Sequence, residues 1–276
     1  MMAKFSWEID RLGELNIDGA RLEAICFGPP PGEANTIVLL HEGLGCLALW
    51  RDFPQRLAER TGFGVFVYSR AGYGNSDAAP LPRPLDYMSS EALDVLPRVL
   101  DIVGVERCIL LGHSHSATIA AIYGGSAEDF RVRGLILMAP HFFTEEQGLT
   151  AIADAKSAYE NGGLRDKLAK YHDNPDVAFC GWNNAWLDPD FRSWNVAEVI
   201  DYLRIPVLAI QGANDDYGTL AQIEEIKNRI YSPLDVEVLQ DCGHAPHLEQ
   251  PERTLAVVQE FTIRLDRIEN ENVEIR

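Results

Sequence analysis

The sequence predicts a mostly parallel α/β sheet with helices on both faces and a helical segment, residues 141–202, inserted into it. Short apolar runs rich in β-branched residues alternate with stretches of helical periodicity. The runs are apolar almost throughout, as befits strands covered on both sides. This rhythm stops after Pro140 and resumes at Pro206, with no convincing strand between.

At the start of the chain, residues 6–10 and 15–27 alternate more strongly, and Asn16-Ile17-Asp18-Gly19 supplies a turn, so an antiparallel hairpin at the sheet edge is expected. Central strands follow at 37–40, 65–68, 108–111, 135–138, 207–210 and 236–239, bounded by Gly, Pro, Asn or Asp. Helical periodicity occupies 50–60, 90–103, 219–230 and 252–268. Within residues 141–202 lie four helix-like pieces, near 145–160, 164–171, 176–187 and 196–203. That stretch is too long for a connection and too irregular for an independent domain. One α/β core, residues 1–140 and 203–276, carrying an inserted helical cap, is the expected organisation.

Of 276 residues, 46% are hydrophobic and 24% charged, ordinary values for a globular chain and inconsistent with disorder or low complexity. Acidic side chains outnumber basic ones, 42 to 24, for a formal net charge of −18. Such a charge repels a phosphate backbone and an anionic bilayer, so neither nucleic acid nor membrane is an expected partner. The first ten residues hold no signal-like apolar stretch, and no later segment approaches the ~18 apolar residues of a membrane span. A cytoplasmic location is therefore expected. Cys26, Cys46, Cys108, Cys180 and Cys242 are odd in number and never spaced C-x-x-C, which suggests neither a disulfide framework nor a zinc site. They read as buried small apolar residues.

After the run 108–111 comes Gly112-His113-Ser114-His115-Ser116, then the small residues Ala117, Ala120 and Ala121. A strand that ends in a sharp turn and re-enters as a helix needs small residues on both sides, and it presents the middle side chain at the helix N-terminus. Ser114 is that side chain. A serine hydroxyl needs a base, itself oriented by a carboxylate. Among seven histidines, His113 and His115 are too close to Ser114 in sequence, His41 ends a strand, and His141 and His172 belong to the cap or its edge. His244 follows the last strand in a Gly-His loop and is the expected base; His247 reads as a helix-capping or cap-contacting surface residue. Asp215 or Asp216 can orient the imidazole, and the Gly212-x-x-Asp215 spacing favours Asp215. The loop after residues 37–40 offers backbone N–H groups to an oxyanion: Gly43 first, Leu44 next, together with His115.

The chain resembles the α/β-hydrolase superfamily, in its serine-nucleophile branch with a helical cap. The resemblance lies in His41-Glu42-Gly43, Arg70-Ala71-Gly72-Tyr73-Gly74-Asn75-Ser76, Gly112-His113-Ser114-His115-Ser116, Gly212-Ala213-Asn214-Asp215 and Gly243-His244. It implies an eight-stranded sheet, a Ser114-Asp215-His244 triad, no metal or organic cofactor, and a cap that controls access. Three positions depart from the expected pattern: Glu42, where Gly usually follows the His, Ser69, where Asp often precedes the Arg turn, and Ser116, where the final Gly of G-x-S-x-G is expected. Glu42 would narrow or polarise the site. A serine at the elbow also argues against the epoxide-opening and dehalogenating branches, which use aspartate.

The expected activity is that of a serine hydrolase, a carboxylesterase cleaving a small to medium, largely apolar carboxylic ester through an acyl-enzyme. Expected substrate contacts are Glu42, Phe142, Phe143, Trp182 and Trp186. Two other readings stand beside it: a carbon–carbon bond hydrolase of a ring-cleavage diketone, and a catalytically weak ligand-binding protein of the same fold. The expected partner is a small-molecule ester or related carbonyl compound, and a homodimer stays open.

Overall fold

A computed structural model describes residues 5–271. Its eight strands are β1 (Gly13–Ile17), β2 (Ala20–Phe27), β3 (Thr36–Leu40), β4 (Gly64–Tyr68), β5 (Cys108–His113), β6 (Val132–Met138), β7 (Val207–Gly212) and β8 (Leu234–Leu239). They form one sheet in the order β1-β2-β4-β3-β5-β6-β7-β8. The β1–β2 hairpin and the β2–β4 pairing are antiparallel, and every other pairing is parallel. Residues 6–10 do not form the outer strand expected of them. Ile9 makes one isolated bridge to Cys26, and Asp10, at φ 57°, turns the chain before a ladder can develop.

Alternation along each strand sends neighbouring side chains to opposite faces. Val38, Leu40, Leu110, Leu135 and Leu137 pack on one side, among the helices that follow β4 and β5. Ile37, Leu39, Ile109, Leu111 and Ile136 pack on the other, against Trp50, Phe53, Leu57, Leu255, Val258 and Phe261. Those partners come from α1 (Phe53–Thr61) and the C-terminal helix and from the turn before α1. α1 ends where Gly62 takes a left-handed conformation and its N–H caps the Ala58 carbonyl.

Residues 90–103, expected as one helix, are divided into α2 (Tyr87–Ser90), a π turn at Glu91–Val95, and α3 (Leu96–Val103). Pro97 is the cause: it lacks an N–H for the preceding turn, and its ring crowds the carbonyl it should have met. α4 (His115–Ser126) follows β5 directly. Between β6 and β7 the chain forms α5 (Glu146–Asn161), α6 (Leu164–Leu168), α7 (Pro175–Trp186) and two 3-10 turns, Pro189–Ser193 and Ala197–Tyr202. The ends of this insert are stitched together, with Val196 N donating to Phe142 O at 2.7 Å and Thr144 N to Trp194 O at 3.3 Å. α8 (Leu220–Arg229), α9 (Pro246–Glu249) and α10 (Pro251–Asn270) complete the fold. All five cysteines are free, and Cys180, expected inside with the others, is only half-buried. Among the described residues no helix is long and apolar enough to cross a membrane.

Candidate active site

Ser114 stands between the end of β5 and the start of α4 at φ 57°, ψ −127°, a conformation that L-residues rarely adopt. Two features hold it there. Ser114 N donates to Met138 O at 2.8 Å, and Gly112 lets α4 press onto the strand end: a Cβ on Gly112 would come within 2.2 Å of Ser116 O. Ser116, where a glycine is usual, fits because its hydroxyl is satisfied, donating to His41 O and accepting from Arg70 Nη1.

The structure brings Ser114, His244 and Asp215 together. Ser114 Oγ lies 2.9 Å from His244 Nε2, and His244 Nδ1 lies 2.9 and 2.8 Å from the two Asp215 oxygens. A carboxylate only accepts, so Nδ1 carries a proton and Nε2 is free to accept one from Ser114. Asp215 also receives Gln211 Nε2 at 2.8 Å and the amides of Tyr217 and Gly218. Burial pushes its carboxyl up, but the hydrogen bond and charge of His244 and the Tyr217 amide outweigh that, so it sits below the ordinary carboxylate value. Asp216 is exposed. The His244 loop is clamped on both sides of the imidazole, with Gly243 N and Ala245 N donating to Glu249 at 2.7 and 3.0 Å. Beneath it, His113 Nε2 donates to His244 O at 2.7 Å.

The site opens on a cavity of about 190 Å³ lined by Glu42, Gly43, Leu44, Ser114, His141, Ile152, Trp182, Trp186, Tyr217 and His244. Gly43 and Leu44 line its wall, and His115 begins α4 beside Ser114. Among the described residues no hydrogen bond is donated by the Gly43, Leu44 or His115 amides. The Glu42 carboxyl lies 3.6 Å from His113 Nδ1. Burial pushes that carboxyl up, yet the facing His113 outweighs the effect and holds it well below its usual range.

Arg70 fixes the loop from behind. Its buried guanidinium donates to His41 O at 2.7 Å, Glu42 O at 3.1 Å, Ser116 Oγ, and His115 Nε2 at 2.7 Å. His115 therefore carries its proton on Nδ1, which donates to Tyr87 Oη at 3.0 Å; Tyr87 Oη in turn accepts Trp186 Nε1 at 3.0 Å. Burial and the Arg70 charge keep both His115 and His41 well below the ordinary imidazole value.

Phe142 and Phe143 do not reach the cavity. Phe142 is fully buried in the core, and Phe143 bridges Asn195 where the insert joins the sheet. The side chain that turns inward is their neighbour His141, made neutral by burial, which lowers it to about 3, and by the nearby His244. Its position depends on Gly218, where a Cβ would fall 2.9 Å from the ring. His247, expected on the surface, is buried, with its ring centroid 4.7 Å from that of Trp50 and 4.9 Å from that of His113. Ile152, Tyr217 and His141 complete the lining without having been expected there; only the loop and insert paths bring them in. Among the described residues no group of three or more His, Cys, Asp or Glu side chains could hold a metal ion.

A sequence profile described as "Alpha/beta hydrolase family" matches residues 37–257. The chain is 30% identical over 106 residues to epoxide hydrolase B of Mycobacterium tuberculosis (strain ATCC 25618 / H37Rv), covering 38% of this chain but only 29% of that protein. It is 25% identical over 259 residues to the karrikin insensitive 2 receptor IA of Petunia hybrida, covering 82% of this chain and 90% of the receptor. Its fold is that of the Mycobacterium smegmatis proline iminopeptidase structure, with a TM-score of 0.74 at 18% identity, covering 94% of this chain and 100% of the other.

Proposed function

The chain belongs to the alpha/beta hydrolase family, and within it we propose that it is a serine hydrolase cleaving a small, largely apolar carboxylic ester. The observation that carries this reading is the unbroken hydrogen-bonded run from Ser114 Oγ through His244 to Asp215, opening on a cavity walled by Ile152, Trp182 and Trp186. A volume of about 190 Å³ suits a short acyl group. It falls below the roughly 300 Å³ at which pockets for drug-sized ligands begin.

Ser114 Oγ attacks the ester carbonyl carbon while its proton passes to His244 Nε2, and the carbonyl electron pair moves onto oxygen. The Gly43 and His115 amides, with Leu44 beside them, stabilise that oxyanion. The tetrahedral centre then expels the alcohol, which takes the proton from His244. Water gives its own proton to His244, attacks the acyl-enzyme and releases the acid, and Ser114 recovers its proton. Asp215 keeps the imidazole in the required tautomer throughout.

Incubation with p-nitrophenyl acetate and butyrate tests this directly. Turnover abolished by Ser114→Ala, with one fluorophosphonate adduct mapping to Ser114, is the expected result. A ligand-binding reading has the likeness to the Petunia receptor in its favour. Absence of both turnover and adduct in the folded protein would select it.

A further inference from the structure

Two tryptophans of the insert face the cavity, and their indole N–H groups are used differently. Trp186 Nε1 is committed to Tyr87 Oη at 3.0 Å. Trp182 Nε1 donates to nothing among the described residues, and it is not among the sealed, partnerless polar atoms of the interior. An indole N–H is a donor only, so inside a protein it ordinarily finds an acceptor.

The position of this free donor is specific. The pyrrole edge of Trp182 lies directly on Gly43: a Cβ at residue 43 would fall 2.5 Å from Trp182 Nε1 and 2.6 Å from Cδ1. The free indole N–H thus belongs to a ring edge lying on the residue that carries the free Gly43 amide, and both residues line the cavity with Ser114. We infer that Trp182 Nε1–H is a further catalytic donor, hydrogen-bonding to the carbonyl oxygen of the substrate as it becomes the oxyanion. This rests on the acyl-transfer reading of the site and deepens it: one stabilising donor is carried by the insert instead of the sheet. No proton is transferred from the indole, which holds the developing charge by hydrogen bonding alone.

Trp182→Phe tests this, because it keeps a ring over Gly43 and removes the N–H. With p-nitrophenyl acetate, kcat is expected to fall about 10- to 100-fold, at or just below the loss of one oxyanion donor, while KM changes less than about threefold. Inhibition by phenylboronic acid, whose tetrahedral serine adduct carries the same negative oxygen, weakens in parallel. A pure packing role would instead move KM and the acetate-to-hexanoate ratio and leave kcat on acetate alone, which would overturn the inference. Should Trp182→Phe not fold, the wild-type protein labelled with indole-15N tryptophan answers the same question. One indole N–H resonance moves downfield on formation of the boronate adduct if Trp182 donates, and none moves if it does not. A wild-type protein without esterase turnover or fluorophosphonate adduct overturns the acyl-transfer reading itself. Normal wild-type turnover with an unaffected Trp182→Phe overturns the indole donor alone.

Discussion

His172 and Leu44 are joined by a hydrogen bond that ties the insert to the Gly43–Leu44 loop. His172 Nε2 donates to Leu44 O at 3.0 Å, and its Nδ1 accepts Gly74 N at 2.9 Å. One neutral imidazole thus latches the segment before α7 to two loops of the core. Burial lowers the His172 pKa, which keeps the ring in the neutral form that donates at Nε2 and accepts at Nδ1. His172→Ala removes the donor and leaves the buried Gly74 amide unsatisfied. The expected result is a loss of about 1–3 kcal/mol in stability by urea denaturation, together with a lower kcat/KM from a looser Leu44. An unchanged denaturation midpoint would mean that the latch contributes nothing.

Acid should destabilise the fold well before the general carboxylate range. Burial holds His141 and His247 near about 3, and holds His41, His115 and His172 below the usual imidazole value. In the unfolded chain these rings titrate near about 6.5. Between the two values the unfolded state binds more protons, so this stability is complete above about pH 6.5 and is lost as pH falls toward about 3. Calorimetry across that window is expected to show Tm falling steadily. A flat Tm contradicts the neutral buried imidazoles.

Glu249 acts on His244 through the backbone, since its two oxygens accept the amides on either side of the imidazole. Glu249→Ala frees both amides and lets the loop drift. Even a 1 Å misplacement costs about 100-fold, so a kcat loss of roughly 10- to 100-fold is expected with KM little changed. Glu249→Gln, which keeps one acceptor, should recover part of it. Equal activity in all three proteins would remove Glu249 from any positioning role.

Ser114 is strained by its own backbone, at φ 57°. Glycine has no Cβ penalty there, so Ser114→Gly is expected to match or exceed the wild type in Tm while hydrolysis falls by at least about 10³-fold. A Tm drop of several degrees would show that the side chain stabilises the elbow instead of straining it.

The sheet was readable in the sequence because strands such as 37–40 and 207–210 are apolar on both faces, a pattern set by local burial alone. The approach of Ser114, Asp215 and His244 was readable because each follows a strand of the parallel part of the sheet, which delivers all those ends to one edge. The cavity lining was not. Whether His141 or Phe142 turns inward is decided by one step of backbone after Ala139, itself at φ 49°, and by the space over Gly218. His247 looked like a surface residue because nothing local announces that Trp50 and Phe53 will cover it. The segment expected as a helix at 90–103 is helical throughout, but it widens into a π turn at Glu91–Val95 ahead of Pro97, a detail that periodicity alone does not carry.

The bare α-carbon of residue 43 also decides where this molecule can be remodelled. Any larger side chain there would collide with the Trp182 indole, so randomising that position opens no room. Volume has to come from elsewhere in the lining, by trimming Ile152 and not Tyr217, whose ring lies 4.8 Å from that of His244.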